Sequence, residues 1–129
     1  MATIKLNQEN LEDTLKNNNI VMIDFWAEWC GPCKMFGPVY EQVAEKHEDI
    51  AFTKVNTEEQ GELAAAFGIQ SIPTLAIFRD NILLYKNPGA LPENALEDLI
   101  KQVRELDMDK VRKEIAEKEA EEKEEVKAE

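Results

Sequence analysis

Apolar and polar positions change rhythm several times along the chain. Residues 3–6 alternate polar and apolar, which predicts a short strand. Leu11 and Leu15 then stand four apart on one face of a helix expected over 8–17, with Asn7 as its N-cap. Asn17-Asn18-Asn19 is a turn signal. Residues 20–26 are apolar and mostly β-branched or aromatic, interrupted by Asp24 alone. Such a run predicts a strand buried on both faces, as a parallel sheet requires. Met35, Phe36, Val39, Tyr40, Val43 and Ala44 follow at helical spacing. Residues 51–55 predict a further strand, and 61–67 a short helix stopped by Gly68. Two more strands, 74–78 and 82–85, are joined by Asp80-Asn81, which is hairpin-turn chemistry. Pro92 opens a last helix with Leu96, Leu99, Ile100, Val103 and Leu106 on one side.

The resulting order, β-α-β-α-β-α-β-β-α, implies parallel crossovers followed by a terminal antiparallel hairpin. The expected fold class is α/β, a mixed central sheet with helices on both faces. The chain has 129 residues, one domain's worth. Composition shifts near residue 106, so 1–106 is expected to be the globular domain and 107–129 a charged extension. That extension holds ten acids and six bases and no Gly, Pro, Cys or aromatic residue.

Charge narrows the function classes. The formal net charge is −12, which gives no drive toward phosphate backbones or anionic lipid, so neither nucleic acid nor membrane is an expected partner. No apolar run approaches the roughly 20 residues of a transmembrane helix, and residues 1–10 lack a signal-peptide pattern. A cytoplasmic protein is expected. Two cysteines and one histidine are too few for a disulfide scaffold or a multi-ligand zinc site.

The two cysteines form the sharpest signal. Cys30-Gly31-Pro32-Cys33 follows a buried strand and opens a helix. First-turn N–H groups lack intrahelical partners, and the helix dipole adds partial positive charge there. Both favour thiolate, the nucleophilic form of cysteine. The i, i+3 spacing brings the sulfurs to one face, and Pro32 sits where a missing N–H costs little. Cys30 is expected to be the more exposed, attacking thiol and Cys33 the resolving one. Half a zinc site, a structural disulfide and a cluster bridging two copies are the other readings of such a pair. No second pair accompanies it, His47 stands alone in a charged stretch where solvation is expected, and no metal is expected.

Trp29-Cys30-Gly31-Pro32-Cys33-Lys34 resembles the thioredoxin active-site motif, and Asp24-Phe25-Trp26-Ala27 and Ile72-Pro73-Thr74 also match that family. The resemblance covers about residues 1–106. It implies a protein-disulfide reductase that binds no cofactor, carries a redox-active Cys30–Cys33 disulfide, and is re-reduced by a flavin-containing thioredoxin reductase. Disulfide-containing proteins would be its substrates, and a monomer is expected. It also implies that Asp24 lies beneath Cys33 and moves its proton, with Lys54 nearby. From the residues alone, Asp24 reads first as a buried acid with a raised pKa and second as a strand-end carboxylate facing water, while Lys54 reads equally as a surface strand lysine. Pro73 reads as a plain strand start; the resemblance makes its peptide bond cis. Trp29, Gly31, Pro32, Ile72, Pro73 and Gly89 would form a flat docking surface, with Trp26 packed nearby in the core. Pro38 is expected to kink the helix after the cysteines.

Several positions depart from the family pattern: Gly37 for a usual Ala, Asn81 for a usual Gly, Asn87-Pro88 before Gly89, and the acidic extension. The extension is expected to continue the last helix past Leu106 and fray, with docking onto the domain or contact between two copies as the other readings. The rival functions are an isomerase or oxidase on the same fold, and a thioredoxin-fold binding module or co-chaperone subunit with incidental redox activity.

Overall fold

The computed structural model describes residues 2–128. Ten elements follow one another: β1 (Ile4–Lys5), α1 (Leu11–Asn17), β2 (Ile20–Trp26), α2 (Gly31–Lys46), β3 (Ala51–Asn56), α3 (Gly61–Ala66), β4 (Thr74–Arg79), β5 (Ile82–Pro88), α4 (Glu93–Glu105) and α5 (Met108–Ala128). The strands form one five-stranded sheet in the order β1-β3-β2-β4-β5. β1, β3 and β2 run parallel, whereas β2/β4 and β4/β5 are antiparallel. The mixed sheet with helices on both faces is therefore as the strand and helix patterns predict.

Alternation along β2 sorts its side chains between two cores. Ile20 and Met22 pack with Phe36 and Tyr40 of α2 and Leu96 and Ile100 of α4. Val21, Ile23 and Phe25 pack on the other face with Leu63 of α3, against Leu11 and Leu15 of α1. Asp24, between Met22 and Trp26, consequently shares the α2/α4 face. Its cross-strand neighbours are Lys54 on β3 and Leu75 on β4.

Boundaries differ from expectation at both ends. α1 starts at Leu11, because Asn7 and Asn10 first cap each other, each side-chain oxygen accepting the other's backbone N–H at 2.9 and 2.8 Å. The last helix does not run on into the extension. α4 stops at Glu105, Leu106 is extended (φ −62°, ψ 137°), and α5 begins afresh at Met108. Asp107 caps the new helix by accepting the Lys110 N–H at 3.2 Å. Arg79 holds the break in place: its Nη1 donates to the carbonyls of Val103 (2.8 Å), Leu106 (3.0 Å) and Arg104 (3.3 Å). Leu106, expected on the buried side, is 40% exposed, and Met108 is buried instead. At the β4–β5 hairpin Asp80 and Asn81 both take positive φ, 54° and 63°, so Asp-Asn makes the turn without a glycine. Pro38 lies inside α2, as expected.

Candidate active site

β2 ends at Trp26, and the chain crosses to the N-terminus of α2 through Ala27 to Cys30. Cys30 is the N-cap of α2, and its sulfur accepts the Cys33 N–H at 3.2 Å. The two cysteines form a disulfide, with Cα atoms 5.2 Å apart. Gly31 and Pro32 occupy the first helical turn, where no internal donor is lost. Cys30 is 4% and Cys33 5% exposed, so the expected difference in exposure is not seen. The closed ring packs against Trp26, Ala27 and Ile72, which shield both sulfurs about equally. What distinguishes Cys30 is its place at the helix end, where a backbone N–H points at its sulfur.

A second segment, the loop before β4, meets this sulfur. Cys30 Sγ lies 3.7 Å from the Ile72 carbonyl oxygen. The Ile72–Pro73 peptide bond is cis. The Pro73 carbonyl in turn accepts the Gly89 N–H at 2.8 Å, which ties the loop after β5 to the same rim. Gly89 has φ +117°, a conformation that a side chain disfavours. Trp29 stands 69% exposed beside the disulfide, and its indole N–H donates to Glu58 at 2.5 Å. Trp29, Gly31 and Pro32 thus adjoin the cysteines in the chain, Ile72 packs against them from a distant loop, and Gly89 is tied to Pro73 beside it.

Asp24, two residues before Trp26 on β2, is 1% exposed, with neither carboxylate oxygen hydrogen-bonded. The reading of Asp24 as a strand-end carboxylate facing water is therefore overturned: β2 is an interior strand and α2 covers this face. Burial pushes its pKa up from 3.8 to about 7, while the nearby Lys54 charge opposes the rise. Lys54 is half-buried, and its ammonium sits 5.0 Å from the Trp26 ring centroid. Tyr40 of α2 is also near, its hydroxyl donating to the Thr53 carbonyl at 2.8 Å. Burial first, and the Asp24 charge second, push its phenol pKa well above 10.

His47 departs from the expected solvated state. Its Nε2 pairs with Glu97, its Nδ1 lies 3.1 Å from Arg104 Nη2, and Arg104 also grips Asp49. Among the described residues, no three His, Cys, Asp or Glu side chains are placed to hold a metal ion. No helix among them is long and apolar enough to cross a membrane.

Sequence reasoning missed Glu58. Asn56 accepts the Glu58 N–H at 3.0 Å, an Asx turn at the end of β3. That turn is readable locally, but its reach to Trp29 across 29 positions is not.

The sequence profile of the thioredoxin family matches residues 2–102. A Streptomyces coelicolor protein assigned as thioredoxin 2 is 59% identical over 119 residues, covering 92% of this chain and 89% of its own length. That span exceeds residues 1–106, so the similarity reaches into α5. Thioredoxin 1 of Synechococcus elongatus is 42% identical over 100 residues, covering 77% of this chain and 88% of its own. Among solved structures, a mutant thioredoxin from Halobacterium salinarum superimposes with a TM-score of 0.75 at 38% identity, covering 81% and 92%.

Proposed function

The chain belongs to the thioredoxin family and is a thiol–disulfide oxidoreductase that reduces protein disulfides, and on that premise we propose that Cys30 is the attacking thiol and Cys33 the resolving one. The observation that carries these roles is the Cys33 N–H aimed at Cys30 Sγ at the start of α2. In the reduced protein the same donor and the helix dipole stabilise a Cys30 thiolate.

The thiolate attacks one sulfur of the substrate disulfide. A Cys30–substrate mixed disulfide forms, and the other substrate sulfur leaves as thiolate. Cys33 gives its proton to Asp24 and attacks the Cys30 sulfur. The mixed disulfide breaks, the second substrate thiolate leaves, and the Cys30–Cys33 disulfide closes. Two electrons have passed from the dithiol to the substrate. Asp24 suits the proton step because a carboxylate with pKa about 7 accepts and releases near neutrality. Lys54 supplies the opposing charge that keeps Asp24 ionisable.

The docking surface in this reading is Trp29, Gly31, Pro32, Ile72, Pro73 and Gly89. The Ile72 and Pro73 segment lies against Cys30 and offers backbone to an extended substrate strand. Residues 1–106 form the catalytic domain and 107–129 an appendage without chemistry. The protein works as a cytoplasmic monomer, stores its electrons in the cysteine pair without a bound cofactor, and is re-reduced by thioredoxin reductase.

The test is covalent trapping. Cys33→Ser, reduced and mixed with disulfide-bearing proteins, should accumulate mixed disulfides through Cys30 that excess dithiol releases. Cys30→Ser should accumulate none. The reverse pattern would exchange the two roles, and partners held equally well without either cysteine would replace reduction by binding.

A further inference from the structure

Asp24 has a problem of access. In the cycle proposed above it gains a proton from Cys33, yet its oxygens expose no surface and have no hydrogen-bond partner. On the β4 side its register neighbour is the buried Leu75. On the α2 side the Tyr40 hydroxyl gives its one proton to the Thr53 carbonyl and has none to offer Asp24. The β3 side is different. There the neighbour is Lys54, and beyond β3 lies only β1, a two-residue edge strand.

A cleft of about 450 Å³ opens at that edge. Thr3 and Lys5 line one side, and Trp26, Glu41, Lys54 and Glu59 are among the residues lining the others. Lys54 therefore stands between the cleft and Asp24. Above Lys54, α2 presents Gly37, where an added Cβ would sit 3.9 Å from the lysine ammonium. One helical turn on, Glu41 lines the cleft and accepts the Thr3 hydroxyl at 2.5 Å.

We infer that Asp24 exchanges its proton with solvent through this cleft, past Lys54, and that Glu41, held by Thr3, receives the proton on its way out. The inference rests on Asp24 as the base for Cys33. When the Lys54 side chain moves aside, a water admitted from the cleft takes the proton of the neutral Asp24 acid and passes a proton to the Glu41 carboxylate, which releases it to bulk solvent. Only O–H bonds form and break, and no oxidant or reductant is consumed. Lys54 keeps its own proton and acts as a positioning residue. The charged groups facing the route are Lys54 from β3, Glu41 from α2, Lys5 from β1, and Glu28 and Glu59 from the loops at the strand ends.

The test follows protons and thiols together in one stopped-flow experiment on the full reduced chain. With the aromatic disulfide 5,5′-dithiobis(2-nitrobenzoate), the first coloured thiolate reports attack by Cys30 and the second reports resolution by Cys33. Phenol red in weak buffer reports the proton. In the parent chain the proton should appear together with the second thiolate. In Glu41→Gln, which keeps an oxygen for Thr3, it should lag about ten-fold, within the range of a lost proton-transfer group. Lys54→Met should lag as well. Added imidazole should abolish the Glu41→Gln lag, and Glu41→Asp should restore most of the rate. Protons that keep pace with the second thiolate in both variants would overturn the route, as would a lag that imidazole leaves unchanged. Asp24→Asn separates the two layers. If it leaves the second thiolate release unchanged, the base assignment itself falls; if it slows that release while Glu41→Gln shows no lag, the cleft route alone falls.

Discussion

Arg112 of α5 reaches back to Asp80 of the β4–β5 turn, with Nη1 3.1 Å from the carboxylate oxygen. Asp80 also accepts from the Asn19 side chain, so one turn residue gathers the end of β4, the start of β2 and the appended helix. Four positions earlier in α5, Met108 is 6% exposed. The extension is thus anchored at its root, whereas positions 116–126 are exposed. Both ion-pair partners are partly exposed, so solvent screens the pair and it contributes little. Burial of Met108 contributes more, roughly 1.5–3 kcal/mol.

Two truncations separate these contributions. Removing residues 110–129 should leave disulfide reductase activity intact and shift the urea-unfolding midpoint little. Removing 108–129 should cost about 2 kcal/mol more, because Met108 goes with it. Equal stabilities would show that Met108 burial does nothing for the domain.

Arg79 is the cap of α4 rather than a surface cation. Arg79→Met keeps the stem but leaves the carbonyls of Val103, Arg104 and Leu106 without their donor. A loss of about 2 kcal/mol is expected, the usual scale for charge-assisted hydrogen bonds. Amide hydrogen exchange should speed up in the last turn of α4 before it does in β2. Uniform acceleration across the sheet would contradict a local capping role.

Asp24 makes stability depend on pH. Its folded pKa of about 7 lies above the ordinary 3.8. Below about pH 4 both folded and unfolded chains hold the proton, and the group is neutral in its effect. Between those values only the folded chain holds it, so stability falls as pH rises. Above about pH 7 the burial of a charged carboxylate has cost its full amount, on the order of 4 kcal/mol. Asp24→Asn should therefore raise stability more at pH 8 than at pH 5. Urea unfolding at the two pH values reads the difference, and an equal gain at both would mean that Asp24 is not protonated in the folded state.

Glu58 should act through Trp29. Losing the 2.5 Å hydrogen bond in Glu58→Ala frees the indole to leave its orientation beside the disulfide. KM for a protein disulfide should rise several-fold while kcat, and the rate with a small aromatic disulfide, stay near the parent values. Trp29 fluorescence should report the change directly. A fall in kcat with KM unchanged would place Glu58 in the chemistry instead of the docking surface.

Much of this site was legible beforehand because its signals are local. Cys30 and Cys33 lie within one turn, the start of α2 follows from the strand before it, and Asp80-Asn81 is a turn by its own conformational preferences. Glu58, Arg79 and Glu41 were not legible, since each acts on a residue 24 to 38 positions away. The same limit explains Cys30: spacing indicates which sulfur sits at the helix end, but its exposure depends on Ile72 from a distant loop.

By itself the sequence determined the order of elements, the mixed sheet and the dithiol, because hydrophobic period, turn chemistry and helix-end electrostatics act over a few residues. Only the tertiary structure decided that Asp24 is sealed under α2, that Lys54 pairs beside it and lines the cleft at the sheet edge, and that the helix breaks at Leu106. Those outcomes depend on which strand lies beside which. The order β1-β3-β2-β4-β5 sets that adjacency, and sheet order is a property of long-range packing that no local pattern contains.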